Sequence, residues 1–138
     1  METRLQRIEH VCRKFQVKAL YVFGSRSAEV FQFIRDDTFQ TKPSKSDVDI
    51  GVLINRVFSI DDKVNLTLEL EEIFNVHRVD LVLLSEADAF LAANIIRGER
   101  LYVEDSYLAD EYELFVLRRA GDLAELERAR MTMILGQG

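Results

Sequence analysis

The sequence predicts an α/β domain, because short strand-like hydrophobic segments alternate with segments whose apolar residues recur at helical spacing. The chain has 138 residues, which suits one domain with one core. Hydrophobic residues make up 48% of it and charged residues 30%, as in ordinary globular proteins. We expect a single domain over residues 1–138, with a core from about 17 to 103 and a C-terminal helical segment from about 106 to 135.

The N-terminal half predicts two helices and two strands. Thr3 and Gln6 have the spacing of a helix capping box. Gly24 ends a run rich in β-forming residues, as expected after a buried strand. The predicted elements are a helix from Thr3 to about Gln16, a strand from Ala19 to Phe23, a helix from Ser25 to about Arg35, a polar loop from Asp36 to Ser46 and a strand from Val48 to Ile54.

The C-terminal half continues this alternation. A helix begins at Ser59 and should turn Val64, Leu68 and Phe74 towards the core. The later elements are a strand from Arg78 to Leu84, a helix capped within Ser85–Asp88 that carries Leu91, Ile95 and Ile96 and stops at Gly98, an edge strand or turn at Leu101–Val103, and a helix from Ser106 to about Ala120 that breaks near Gly121 and resumes through Leu135.

Charge and composition exclude several classes of function. The net charge of −6 argues against broad binding of duplex nucleic acid, which requires clustered basic residues. Cys12 is the only cysteine, so neither an intrachain disulfide nor a cysteine-based zinc site is expected, and it reads as a small buried hydrophobe. No signal-like or membrane-length apolar run is present, which favours a cytoplasmic location.

Three aspartates occur on segments that otherwise look like buried strands. Asp47 and Asp49 are two residues apart and therefore share one face of a strand, while Asp80 lies on the next strand. An unpaired carboxylate in such a place costs several kcal/mol, so a positive partner is expected among them. Oxygen ligands of this kind suit Mg²⁺, and two ions about 4 Å apart fit the arrangement. Gly51 follows on the same face and should leave room for a ligand.

A glycine-serine turn supplies a second half of the candidate site. Gly24 lets the backbone come close to a phosphate, and the N-terminus of the following helix offers free N–H groups. Ser25 can donate its hydroxyl to a phosphate oxygen, and Arg26 can pair with the same group. The sequence therefore predicts metal-dependent chemistry on a nucleoside triphosphate, with Asp80 also a candidate acceptor for the proton of an incoming hydroxyl.

Each of these features has a plainer interpretation when it is taken alone. A glycine-serine pair is usually only a turn, and a pair of aspartates is usually a solvated loop or a helix cap. Tyr102, Tyr107 and Tyr112 could stack on a base but more often pack in a core or an interface. The apolar side of the C-terminal helix either covers the sheet or docks a partner, and it includes Leu114, Phe115, Leu117 and Leu123.

In this order, Gly24-Ser25, Asp47-Val48-Asp49 and Asp80 resemble the DNA polymerase β nucleotidyltransferase superfamily. The short chain, the run around Asp80 and the segment from Ile95 to Tyr102 resemble its minimal nucleotidyltransferase (MNT) branch. The resemblance implies a mixed sheet flanked by helices and transfer of a nucleoside monophosphate from an NTP with release of pyrophosphate. It implies that the three aspartates hold two Mg²⁺ ions and that Gly24 and Ser25 bind the triphosphate.

MNT proteins are commonly antitoxins paired with a HEPN-domain ribonuclease toxin, and some attach AMP to a tyrosine of that toxin. The resemblance thus implies ATP as substrate and a HEPN toxin as partner, and it leaves the oligomeric state open. Two other hypotheses remain at this point: an antitoxin that binds its toxin without catalysis, and a transferase for a small molecule such as an aminoglycoside.

The chain departs from the family pattern after the first turn. The segment between Ser25 and Asp47 is longer than the family usually shows, and Ala28-Glu29 replaces the usual Arg-Gly. Lys42 and Lys45 are candidates to replace the missing phosphate contacts, and the insertion could instead shape the acceptor site.

Overall fold

A computed structural model describes residues 1–41 and 47–136 of the chain. The predicted loop residues Lys42, Pro43 and Lys45 lie outside the described residues. In chain order the elements are α1 (Arg4–Lys14), β1 (Val17–Phe23), α2 (Ser27–Arg35), β2 (Val48–Ile54), α3 (Ile60–Phe74), β3 (Val79–Leu83), a short 3₁₀ turn (Leu84–Glu86), α4 (Ala89–Ile96), β4 (Glu99–Val103) and α5 (Ser106–Ile134). The predicted interleaving of helices and strands is confirmed.

The four strands form one mixed sheet in the order β3-β2-β1-β4. β1 pairs antiparallel with both β2 and β4, while β2 and β3 run parallel. Of the two alternatives predicted for residues 101–103, an edge strand or a turn, the structure has the edge strand. It begins earlier than predicted, at Glu99. Because β2 lies between β1 and β3, the residues at its N-terminal end have a neighbour on each side.

Helices cover both faces of the sheet. On one face, α1, α2 and α3 pack over a core that contains Leu20, Val22, Val48, Ile50 and Val52. On the other face, α4 and the first half of α5 pack over a smaller core around Tyr21, Ile95 and Val116. Alternating residues of β2 thus point to different cores, and Asp49, Gly51 and Leu53 share the face of the smaller one.

Local side-chain caps fix where the helices begin. Thr3 accepts a hydrogen bond from the backbone N–H of Gln6 at 3.1 Å, and the Gln6 side chain accepts one from Thr3 N, which confirms the predicted capping box. Ser59 and Asp62 form a second box at the start of α3. Asp88 caps α4 by accepting from Leu91 N at 2.8 Å. These caps satisfy N–H groups that a helix leaves unpaired at its N-terminus.

The prediction for the buried face of α3 is wrong in part. Phe74 is buried as expected, but Val64 is 49% exposed and Leu68 57% exposed. The buried side chains are Leu66, Leu70, Ile73 and Phe74, which recur at the helical spacing of a single face. α3 carries apolar residues on two sides, so spacing alone could not tell which side meets the sheet.

The predicted break in the C-terminal helix is also wrong, because α5 is continuous from Ser106 to Ile134. Gly121 lies in open space, with no neighbouring atom within 4 Å of the position where a Cβ would stand. A single exposed glycine costs a helix only about 1 kcal/mol relative to alanine. That cost is too small to end a helix that no proline interrupts and whose first half packs against α4.

A partly buried polar network attaches α5 to the sheet. The Tyr21 hydroxyl donates to Glu113 Oε2 at 2.7 Å, and Arg100 Nε donates to the same oxygen at 2.7 Å. Burial, together with this carboxylate, raises the pKa of Tyr21 well above its ordinary value. Cys12 is buried and free, and burial raises its pKa as well, which confirms the small buried hydrophobe that the sequence predicts. In the described part of the chain no helix has the length and hydropathy needed to cross a membrane.

Candidate active site

The strand register brings the predicted acidic residues to one end of the sheet. Asp49 on β2 is paired with Phe23 on β1 and with Asp80 on β3. Neighbouring strands lie about 4.8 Å apart, so the backbones of Asp49 and Asp80 are adjacent. Asp47 immediately precedes β2, two residues before Asp49. The prediction that the strands carrying Asp49 and Asp80 are neighbours is confirmed.

Asp49 lies deepest in this group and has an unfavourable electrostatic environment. Burial, followed by the negative charges of Asp80 and Asp47, raises the pKa of Asp49 above its ordinary value. The structure therefore places three carboxylates where their mutual repulsion and partial desolvation favour a cation. This is the chemistry expected of residues that fit a divalent metal ion.

The turn after β1 stands directly against Asp49. Gly24 has a φ of +79°, in the left-handed region that favours glycine, and a Cβ added there would collide with Asp49 Oδ2. Gly24 is thus required both by its backbone conformation and by the approach of the carboxylate. The turn leads into the N-terminus of α2, and Gly24 and Ser25 are both exposed to solvent.

Arg26 has surroundings that the sequence did not reveal. Its side chain is buried, and its Nη2 donates to Glu29 Oε1 at 2.8 Å. Glu29 is one of the two residues that replace the usual Arg-Gly of the family pattern. In this structure the guanidinium of Arg26 is therefore engaged with the first turn of α2, and phosphate binding by Arg26 stays a prediction.

The sequence predicted Arg78 only as the first residue of a strand and did not identify it as part of the site. Arg78 Nε lies 3.6 Å from Asp47 Oδ2 and 3.3 Å from Asp80 Oδ1. The backbone of Val48 donates to Arg78 O at 3.2 Å, which sets Arg78 beside Asp47. A signal was present in the sequence, because residues 78 and 80 share one face of a strand.

The carboxylates are close but do not converge as in an occupied metal centre. Within residues 1–41 and 47–136, no three acidic, histidine or cysteine side chains are gathered tightly enough to hold an ion. Asp47 and Asp80 each turn one carboxylate oxygen towards the same atom, Arg78 Nε, at 3.6 Å and 3.3 Å respectively. The residues and their alternation suit a metal site, while their side chains are here arranged around an arginine.

The expectation that Gly51 leaves room for a ligand is wrong. A Cβ at Gly51 would collide with Ile95 Cγ2 of α4, so the absence of a side chain makes room for core packing. Gly98 is required for a similar reason, because its Cβ would collide with Val22 O. His10 and His77 are both exposed.

We expect Asp49→Asn to stabilise the metal-free protein at neutral pH, because the wild-type carboxylate is partly buried beside two other acids. The pKa of Asp49 is raised above 3.8 in the folded state, so ionisation at neutral pH opposes folding. The gain from Asn should shrink as the pH falls towards 3.8, because the wild-type carboxyl then becomes protonated in both states. Urea denaturation at several pH values measures the change in the free energy of unfolding. The control is Asp122→Asn, at an exposed position of α5. A loss of stability at neutral pH would contradict the electrostatic description.

Solved structures show the same fold. A mutant form of a MntA toxin–antitoxin complex matches with a TM-score of 0.63 at 21% identity, covering 94% of each chain. A toxin–antitoxin structure with AMP-PNP matches with a TM-score of 0.63 at 22% identity, covering 94% of each chain. An MNT antitoxin in complex with a tri-AMPylated HEPN toxin from Shewanella oneidensis matches with a TM-score of 0.59 at 21% identity, covering 95% of this chain and 92% of that one.

A search of curated proteins gave no match. The family model described as "Polymerase beta, Nucleotidyltransferase" matches residues 6–107, which include β1 with its glycine turn, both aspartates of the β2 end and Asp80. This match covers most of the chain, and it agrees with the register that brings those residues together. The chain belongs to the polymerase β-type nucleotidyltransferase family and has the fold of MntA antitoxins.

Proposed function

We propose that this protein transfers AMP from ATP to a hydroxyl group of a partner protein, a HEPN toxin, and thereby acts as its antitoxin. The observation that carries the proposal is the contact between the Gly24 turn and Asp49, which lies next to Asp80 on the neighbouring strand. This contact joins a phosphate-binding turn to a carboxylate site. The fold shared with toxin–antitoxin structures, one of them with AMP-PNP and one with an AMPylated toxin, supports the choice of nucleotide and partner.

Asp47, Asp49 and Asp80 would hold Mg²⁺, which when bound supplies positive charge to the triphosphate and to the reacting oxygens. Their carboxylate oxygens are the ligands that Mg²⁺ prefers, and the burial and neighbouring acids that raise the pKa of Asp49 support a cation in this place. Gly24 lets the backbone approach the phosphates, and Ser25 is exposed and able to donate its hydroxyl to them.

In the proposed reaction, Asp80 would serve the acceptor side. It lies on β3, an edge strand, and its side chain is 43% exposed, so a bulky acceptor can approach it. In the proposed reaction the acceptor oxygen bonds to the α-phosphorus, the bond to the pyrophosphate oxygen breaks, and the acceptor proton passes to Asp80. Pyrophosphate is the leaving group, and AMP remains on the acceptor.

The end of α5 supports a protein as the partner. We define the α5 arm as residues 121–134, a helical stretch in which no side chain is buried. It exposes large apolar side chains, among them Leu126 at 65% and Met133 at 80%. The arm has no packing against the rest of the described chain to bury these side chains, so a covering partner would stabilise it. Leu126 and Met133 are seven residues apart and share one side of it.

Label transfer tests catalysis directly. With α-labelled ATP, Mg²⁺ and a HEPN partner, we expect labelled partner from wild type and a loss of at least about 100-fold from Asp49→Asn and Asp80→Asn. Asp122→Asn, which makes the same change on exposed α5, should retain activity. If wild type labels nothing with any NTP yet still neutralises the toxin, the protein is an antitoxin that acts by occlusion. If it labels an aminoglycoside instead, it is a small-molecule transferase.

A charge placed on the apolar side of the α5 arm tests the docking surface. We expect Leu126→Asp to weaken the complex with the HEPN partner at least about tenfold, because it buries a carboxylate in an apolar contact. The control is Thr132→Asp, which adds the same charge on another side of the arm. Both residues are exposed, so the fold should be unaffected in the free protein. Equal affinity of the two variants, measured by titration calorimetry, would place the partner elsewhere.

A further inference from the structure

Arg78 holds a place in the site that the proposed reaction does not use. Its Nε lies within 3.6 Å of oxygens from both Asp47 and Asp80, so it bridges the two strands that supply the carboxylates. Residue 78 precedes β3 directly, and Val48 N donates to its carbonyl, so the position is fixed by the same backbone pairing that sets Asp49 beside Asp80. The pairing of β2 with β3 therefore sets the position of residue 78 beside the carboxylates.

The charge balance around Arg78 is unusual for a surface ion pair. Three carboxylates share this end of the sheet, and within the described ranges Arg78 is the cation that forms ion pairs with two of them, Asp47 and Asp80. A guanidinium between two acids offsets repulsion that would otherwise oppose folding. The side chain is nevertheless 69% exposed, so it can turn into solvent without leaving a buried charge behind.

We propose that Arg78 is a built-in counter-ion that occupies the position of the divalent cation in the metal-free protein and is displaced when the cation binds. The inference rests on the proposed function, because it takes the three aspartates as the metal ligands. It goes further by assigning a role to a residue outside that ligand set: Arg78 is a positioning residue that keeps Asp47 and Asp80 facing each other and sets the affinity for metal.

Competition for the same oxygens is the physical basis. Asp47 Oδ2 and Asp80 Oδ1 are the carboxylate oxygens that pair with the guanidinium, and a cation held by both residues would need their lone pairs. A metal ion must therefore break the ion pair before it can bind both carboxylates. Exposed ion pairs contribute little, so the competition is expected to reduce metal affinity modestly and not to prevent binding.

Removal of Arg78 consequently changes the stability of the metal-free protein and not that of the metal-bound protein. The metal-free protein loses the charge that offsets three acids and becomes less stable. The metal-bound protein loses nothing, because its arginine is already displaced. The binding free energy is the difference between these two states, so divalent cations should bind more tightly to the variant. A merely structural arginine would, when removed, leave metal affinity unchanged or lower it.

The experiment measures Mn²⁺ binding to the full chain without nucleotide, by electron paramagnetic resonance of the free ion. We expect Arg78→Gln to bind Mn²⁺ about two- to tenfold more tightly than wild type. Arg78→Lys, which keeps the charge, should stay close to wild type. The matched control is Arg128→Gln, since Arg128 is similarly exposed, at 75%, and pairs with Glu125 at 3.2 Å on α5, away from the sheet. It makes the same change in net charge and should leave the affinity unaltered.

A thermal scan without metal provides a second readout, in which Arg78→Gln should melt below Arg128→Gln. Unchanged or weaker Mn²⁺ binding by Arg78→Gln, with wild-type binding intact, would overturn the role of Arg78 alone. A gain of equal size in Arg128→Gln would also overturn it, because net charge would then be the cause. If Asp49→Asn binds Mn²⁺ as well as wild type, the aspartates are not the metal ligands, and the proposed function fails together with this inference.

Discussion

The site depends on the register of β2 against its two neighbours. Pairing of Asp49 with Phe23 places the carboxylate under the Gly24 turn, and pairing with Asp80 places a second acid beside it. A shift of one residue would send Asp49 to the opposite face, among Val48, Ile50 and Val52 of the main core. Those three buried side chains hold the register, so the hydrophobic core and the arrangement of the site have one common cause.

The same register determines at which positions only glycine fits. A side chain at Gly24 would be strained by the positive φ of that residue and would displace the Asp49 carboxylate, and a side chain at Gly51 would collide with Ile95 of α4. Burial, followed by repulsion from Asp80 and Asp47, raises the pKa of Asp49, and this opposes folding at neutral pH. A stability cost concentrated at one end of a sheet, beside an exposed turn, is typical of a functional site and not of a scaffold.

Sequence patterns predicted the order of elements and the bounds of β2, because alternation and capping are local properties. The meeting of Asp49 with Asp80 depends on strand pairing, and it was expected from the family resemblance. Sequence patterns gave wrong predictions where the same residues are compatible with two different structures. α3 has two apolar sides, and only packing against α1 and β3 selects the side with Leu66 and Leu70. Gly121 is compatible with a break or a helix, and the docked first half of α5 decides. The role of Arg78 required the parallel pairing of two strands, which no local pattern reveals.

The central claim is that Asp47, Asp49 and Asp80 bind a shared divalent cation next to the Gly24 turn. Crystals grown with Mn²⁺ and a non-hydrolysable ATP analogue would test it most directly, through the anomalous scattering of manganese. The account predicts a manganese peak in contact with carboxylate oxygens of both β2 and β3, with the phosphates at the turn and Arg78 displaced from between the aspartates. Ordered nucleotide elsewhere, or a peak at other residues with none among these three, would contradict it.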